Sequence, residues 1–171
     1  MRSRTRSQTF VLGAFIFFSN VALAGRVLSH YPTPLEIDRL LDQGLTSLEI
    51  RGGYDPVIGV FARIEYPSSS HADNLKLLSS IPVHLVTNAG AYPSRKAIQR
   101  LNDLENNVKL SVIIEGCLSS ATERNRILQF ERPAAITIQC NTVRETVRAE
   151  KIAAGIHQQN ENVRITIETL N

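Results

Sequence analysis

Ser111-Val112-Ile113-Ile114-Glu115 and, one helical stretch later, Ile136-Thr137-Ile138-Gln139 decide the fold. Side chains alternate between the two faces of a strand, so such runs are apolar on one face and polar on the other. Three more runs repeat the pattern: Leu48-Glu49-Ile50-Arg51, Val83-His84-Leu85-Val86-Thr87-Asn88 and Ile165-Thr166-Ile167-Glu168. One face collects Leu48, Ile50, Val83, Leu85, Val112, Ile114, Ile136, Ile138, Ile165 and Ile167. The other collects Glu49, Arg51, His84, Asn88, Ser111, Glu115, Thr137, Gln139, Thr166 and Glu168. Strands joined through helices run parallel, and parallel sheets are normally covered on both faces, which makes their strands continuously apolar. Alternation here predicts helices on one side only. The expected fold is α/β: repeated strand–helix units forming a parallel open sheet or partial (β/α) barrel, its polar face turned to a ligand or to water.

The intervening stretches read as helices with marked starts. Thr33-Pro34-Leu35-Glu36, Ser120-Ala121-Thr122-Glu123 and Thr142-Val143-Arg144-Glu145 each place a hydroxyl three residues before a glutamate. Ser70-His71-Ala72-Asp73 is a looser version, and Ser94 precedes the stripe Ala97, Ile98, Leu101 and Leu104. Gly44 sits where the first helix should stop. Val57, Val60, Phe61 and Ile64 suit a helix face or a strand. Strand centres at Ile50, Val86, Ile113, Ile138 and Ile167 lie 25 to 36 residues apart, the signature of a repeated unit with one insertion. Five strands are too few to close an eight-stranded barrel.

Residues 1–24 have the order of a signal peptide: Arg2, Arg4 and Arg6, an apolar run from Phe10 to Ser19, then Ala22-Leu23-Ala24. The expectation is export, periplasmic or secreted, with one domain over residues 25–171 and no stable membrane span after cleavage. The three leader arginines equal the whole formal charge of +3, so the remainder is near neutral and gives no reason to expect a nucleic-acid partner.

Cys117 and Cys140 are the only cysteines. Each falls just past a strand, so a disulfide is geometrically allowed if those strands are neighbours, and free packed thiols are the other reading. His30, His71, His84 and His157 lack ligand-like spacing, and no metal site is expected.

Several segments carry a family likeness. Leu48-Glu49-Ile50-Arg51-Gly52-Gly53-Tyr54-Asp55-Pro56 resembles the "strand then Gly-Gly-Glu-Pro" segment of radical S-adenosylmethionine domains. Leu85-Val86-Thr87-Asn88-Ala89 is similar to that family's strand ending in Thr-Asn-Gly, and Ser111 to Gly116 to the strand after it. The resemblance runs from about Leu35 to Leu170. It implies a partial barrel whose cofactor-binding positions are Gly52, Gly53, Asp55, Asn88, Ser111, Glu115 and Gln139. The family's three-cysteine motif should precede the first helix, yet Gly25 to Pro32 contain no cysteine. Cluster-dependent radical chemistry is therefore not expected, nor is any cofactor, unless an S-adenosylmethionine site is retained. The expected ligand is a small molecule or a peptide on the polar sheet face.

Two other readings use the same residues. Val83-x-Leu85-x-x-Asn88, Val112-x-Ile114-x-x-Cys117 and Ile136-x-Ile138-x-x-Asn141 fit the core of a leucine-rich repeat, which implies a protein partner and a ladder of Asn88, Cys117 and Asn141. Ser119 and Ser120, at a strand-to-helix turn, are candidate nucleophiles of a small serine hydrolase, although Ser120 already serves as an N-cap.

Overall fold

A computed structural model describes residues 25–55 and 60–170. The expected leader lies outside the described residues. The elements, in chain order, are β1 (Arg26–Leu28), α1 (Pro34–Asp42), β2 (Leu48–Arg51), β3 (Gly53–Asp55), β4 (Val60–Ala62), α2 (Ser69–Lys76), β5 (Val83–Thr87), α3 (Arg95–Asn102), β6 (Val108–Glu115), α4 (Ala121–Ile127), β7 (Ala134–Cys140), α5 (Val143–His157) and β8 (Val163–Thr169). Six strands form one parallel sheet in the order β1-β2-β5-β6-β7-β8. Strand order follows chain order, so right-handed crossovers place every helix on the same face. The sheet is open, with β1 and β8 at its two edges.

Burial follows the alternation. Leu48, Ile50, Val83, Leu85, Val112, Ile114, Ile136 and Ile138 are buried in one cluster with Ile37, Leu75, Ile98, Leu101, Ile127 and Ile156 from the five helices. The opposite faces of the same strands are half-buried or exposed throughout. Glu49, Ser111 and Gln139, which a second helical layer would bury, are all partly accessible.

The starts and stops of the helices are local chemistry. The Thr33 hydroxyl accepts from the Glu36 N–H, and Pro34 opens α1. Gly44 ends that helix at φ 78°, with its N–H on the Leu41 carbonyl and the Leu45 N–H on the Leu40 carbonyl, a Schellman arrangement. Ser120 with Glu123 and Thr142 with Glu145 form reciprocal capping boxes. In α2 the cap is Ser68 rather than Ser70, paired with His71, so the helix begins earlier than the sequence pattern suggested.

Three further features go beyond what the sequence pattern settles. A sixth strand, β1, precedes the first predicted one; its three residues are too few to display an alternation. The ambiguous segment around Val60 and Phe61 is a strand, paired antiparallel with β3 in a separate two-stranded arm. Cys117 and Cys140 are joined in a disulfide at a Cα–Cα distance of 4.5 Å, because β6 and β7 are neighbours in register. Linking residues 23 apart removes denatured-state entropy worth about 3 kcal/mol in the chain-entropy picture.

The units are also tied together at the amino ends of the strands. Just before β6, Asn107 donates to the Leu78 and Ile81 carbonyls that lead into β5. Before β7, Arg132 donates to the carbonyls of Leu101, Leu104 and Glu105 that lead into β6 and to that of Val108 at its first residue. Before β8, Asn160 donates to the Leu128 and Phe130 carbonyls leading into β7. Each lead-in side chain thus satisfies carbonyls at the end of the preceding helix or its loop, groups that α-helices leave without intrahelical partners.

Candidate functional site

The open face is a grid set by the register. In one row Arg51, Val86, Ser111, Ala135 and Arg164 lie side by side on β2, β5, β6, β7 and β8; in a row nearer the carboxyl ends stand Glu115, Gln139 and Glu168. Between them lie Ile113, Thr137 and Thr166. From Ser111 to Glu115 is about 13 Å along the strand, and three strands span about 10 Å, room for an extended peptide of about four residues.

A carboxyl-end cluster joins this face to the arm. The Arg63 guanidinium lies 3.0 Å from both oxygens of the Glu115 carboxylate. Gly90 makes that approach possible: a Cβ there would stand 2.5 Å from the Arg63 guanidinium, and its φ of 77° suits glycine. Gln139 donates to Glu168 at 3.4 Å. Asn88 grips the chain emerging from the arm, its N–H donating to the Ile64 carbonyl at 2.9 Å and its Oδ1 accepting from the Ile64 N–H at 2.7 Å. Tyr31 donates to the Glu65 carbonyl and Tyr66 to the Ala91 carbonyl, fastening the same segment on both sides. Burial, then the nearby Glu65 charge, raises both phenols, so they remain protonated donors.

A second cluster lies nearer the amino ends. His84 Nε2 is 2.9 Å from Ser111 Oγ. Its register neighbours are Glu49 on β2 and Lys109 on β6, and these residues with Val27 line a cleft of about 350 Å³. Burial pushes the His84 imidazole below its ordinary value, Lys109 and Arg51 push the same way, and Glu49 opposes them. At neutral pH the ring is uncharged and can exchange a hydrogen bond with the Ser111 hydroxyl. The backbone around Ser111 belongs to an interior strand whose N–H groups serve the ladder, leaving no pair of donors for an oxyanion.

The sequence-derived positions divide into three groups. Ser111, Glu115 and Gln139 share the open face, with Glu115 joined to Arg63. Gly52 and Asn88 hold the arm: a Cβ at Gly52 would stand 2.4 Å from the Ala62 carbonyl oxygen and 3.0 Å from the Asn88 amide. Gly53 has open space around its Cα, and Asp55 pairs with Val60 through the backbone while its side chain lies outside the described residues. Arg63 and Gly90 were not legible as site residues, because nothing local marks which loop reaches the end of β6.

The residues do not fit an iron–sulfur cluster. The loop after β1 offers Ser29, His30 and Tyr31, and both cysteines are consumed by their mutual bond. Among the described residues no group of three His, Cys, Asp or Glu side chains is placed to hold a metal ion. No described helix is long and apolar enough to cross a membrane.

Ser119 and Ser120 are occupied by helix capping. Both N–H groups and the Ser119 hydroxyl donate to Glu123, while the Ser120 hydroxyl accepts from the Glu123 N–H. Burial alone would raise the Glu123 carboxyl, but these hydrogen bonds outweigh it and hold it below the usual carboxylate range. The leucine-rich-repeat ladder does not form: Asn88 binds Ile64, Cys117 is bonded to Cys140, and Asn141 is exposed. No family model matches the chain, and no curated protein or solved structure is found similar to it.

Proposed function

We propose that this chain is an exported binding protein that holds a small polar molecule or a short peptide on its open sheet face, without cluster chemistry. The observation that carries this reading is the bare hydrophilic face of a wholly parallel sheet, an arrangement that ordinarily has a covering layer. The recognition surface runs from His84 and Ser111 to Glu115, Gln139 and Glu168. Ile113 and Val86 supply apolar contact, and hydroxyls, an amide and both signs of charge supply direction. Kinship with radical S-adenosylmethionine domains is part of the proposal, supported by six parallel strands in chain order and the quoted motifs. In this chain Gly52 and Asn88 serve the arm, so the reading does not depend on retained S-adenosylmethionine binding.

The test is amide chemical-shift mapping with a panel of di- to tetrapeptides and S-adenosylmethionine. Shifts concentrated on β5, β6 and β7 open-face positions, abolished by Ser111→Tyr without loss of folding, are the expected result. Shifts confined to the helical side would end the proposal.

The Ser111–His84 contact favours a second reading, hydrolysis of an ester with Ser111 as nucleophile and His84 as base. Labelling by a fluorophosphonate that disappears in Ser111→Ala would replace the binding proposal with this one.

A further inference from the structure

Among the described residues no strand lies beyond β1 or β8, and the sheet edge at β8 is built differently from the edge at β1. β1 is three residues long, whereas β8 runs seven residues with no proline or bulge, and long exposed edges are normally blunted. Its even-numbered peptide groups face β7, since the Leu170 N–H bonds the Cys140 carbonyl and the Asn162 carbonyl accepts from the Ala134 N–H. The N–H and C=O groups of Ile165, Ile167 and Thr169 therefore point outward. Beside this edge lies a groove of about 560 Å³, lined by Glu150, Ala153, Ala154, His157, Ile165 and Ile167. On α5, Val143, Val147, Glu150 and Ala154 share one side by helical spacing, and Val143 and Val147 are 71% and 48% exposed. Because Glu150 and Ala154 line the groove, that stripe looks out over the same edge.

We propose that β8 pairs antiparallel with β8 of a second copy about a two-fold axis at Thr166, making one twelve-stranded sheet. The sequence Arg164-Ile165-Thr166-Ile167-Glu168 is self-complementary about its centre. Arg164 meets Glu168 of the other copy twice on the open face, and Ile165 meets Ile167 twice on the helical face. The hydrogen-bonding parity agrees: Ile165 and Ile167 carry the outward groups that an antiparallel narrow pair exchanges, and Thr166 falls at a non-hydrogen-bonded pair. Registers centred on residue 164 or 168 would oppose like charges, and those centred on 165 or 167 would lose both Arg164–Glu168 pairs, so the same side chains favour the register centred on Thr166. Both helical layers then lie on one side, and the two α5 stripes close over Ile165 and Ile167. An isologous contact of this kind closes on itself, so it yields a dimer and no fibre. The inference is independent of what the open face binds.

Sedimentation velocity on the full chain, with oxidative cross-linking of Thr166→Cys, tests it. Opposed β-carbons at a non-hydrogen-bonded pair lie within disulfide reach, whereas Thr137→Cys, one strand inward, would be about 14 Å from its copy and should not cross-link. The native cysteines are already bonded to each other. Arg164→Glu alone should weaken the dimer about tenfold, and combining it with Glu168→Arg should restore it. A monomer at about 100 µM, absence of a Thr166→Cys cross-link, or failure of the double exchange to rescue would each overturn the proposal.

Discussion

Ile113 and Ile114 are the same residue type, adjacent on β6, and they live in different solvents. Ile114 is fully buried beneath the helices with Leu85 and Ile138, while Ile113 lies half-buried on the open face beside Thr137. The two faces of one sheet thus divide the work: the sealed face holds the molecule together, and the bare face is free to carry polar groups that stability does not require.

The largest expected effect comes from truncating each isoleucine in turn. Ile114→Ala should cost about 4 kcal/mol by urea unfolding, because it removes buried methyl groups and leaves a cavity, and Ile113→Ala about 1 kcal/mol or less. Equal costs would mean that the bare face is covered in solution. A smaller effect should come from Thr87, the one polar side chain buried on the sealed face among the described residues, whose hydroxyl has no hydrogen-bond partner. Thr87→Val should stabilise the protein by about 1 kcal/mol, since it removes a desolvated hydroxyl at nearly constant shape; a loss would show that the hydroxyl is bonded.

The smallest effect concerns the open face and pH. The His84 ring is held below its ordinary value of 6.5, chiefly by burial, so below that pH the unfolded chain binds more protons than the folded one. The contribution of the neutral ring is complete above about pH 6.5 and is lost as pH falls through the lower folded value. Stability should therefore decline less steeply on acidification in His84→Gln than in the parent, followed by chemical unfolding from about pH 7 to 5. Identical slopes would remove His84 from the list of groups that the open face perturbs.

Legibility differed between elements for physical reasons. Leu48–Arg51 was readable to the residue because its four positions alternate cleanly, and β6, β7 and β8 were each recognised but extended further than their alternating cores. β1 gave no signal: three residues cannot establish a period. The arm failed for another reason, since Val, Ile and Phe fit a helix stripe as well as a strand and only pairing with Gly53–Asp55 distinguishes them. Ser111, Glu115 and Gln139 could be placed on one face from alternation alone. The partners that give them meaning, His84 for Ser111 and Arg63 for Glu115, depend on which strands become neighbours and where a loop returns.

The amino-acid order by itself determined the period-two faces, the hydroxyl caps and the glycine stop at residue 44, because these are fixed by bonds spanning two to five residues. Tertiary structure alone decided that Cys117 meets Cys140, that Arg132 seals the end of α3, that Arg63 reaches Glu115, and that β8 is left as an edge. Those outcomes join residues 23 or more positions apart, or depend on which strand finds no neighbour, and their selection rests on the packing of the whole helical layer against one side of the sheet.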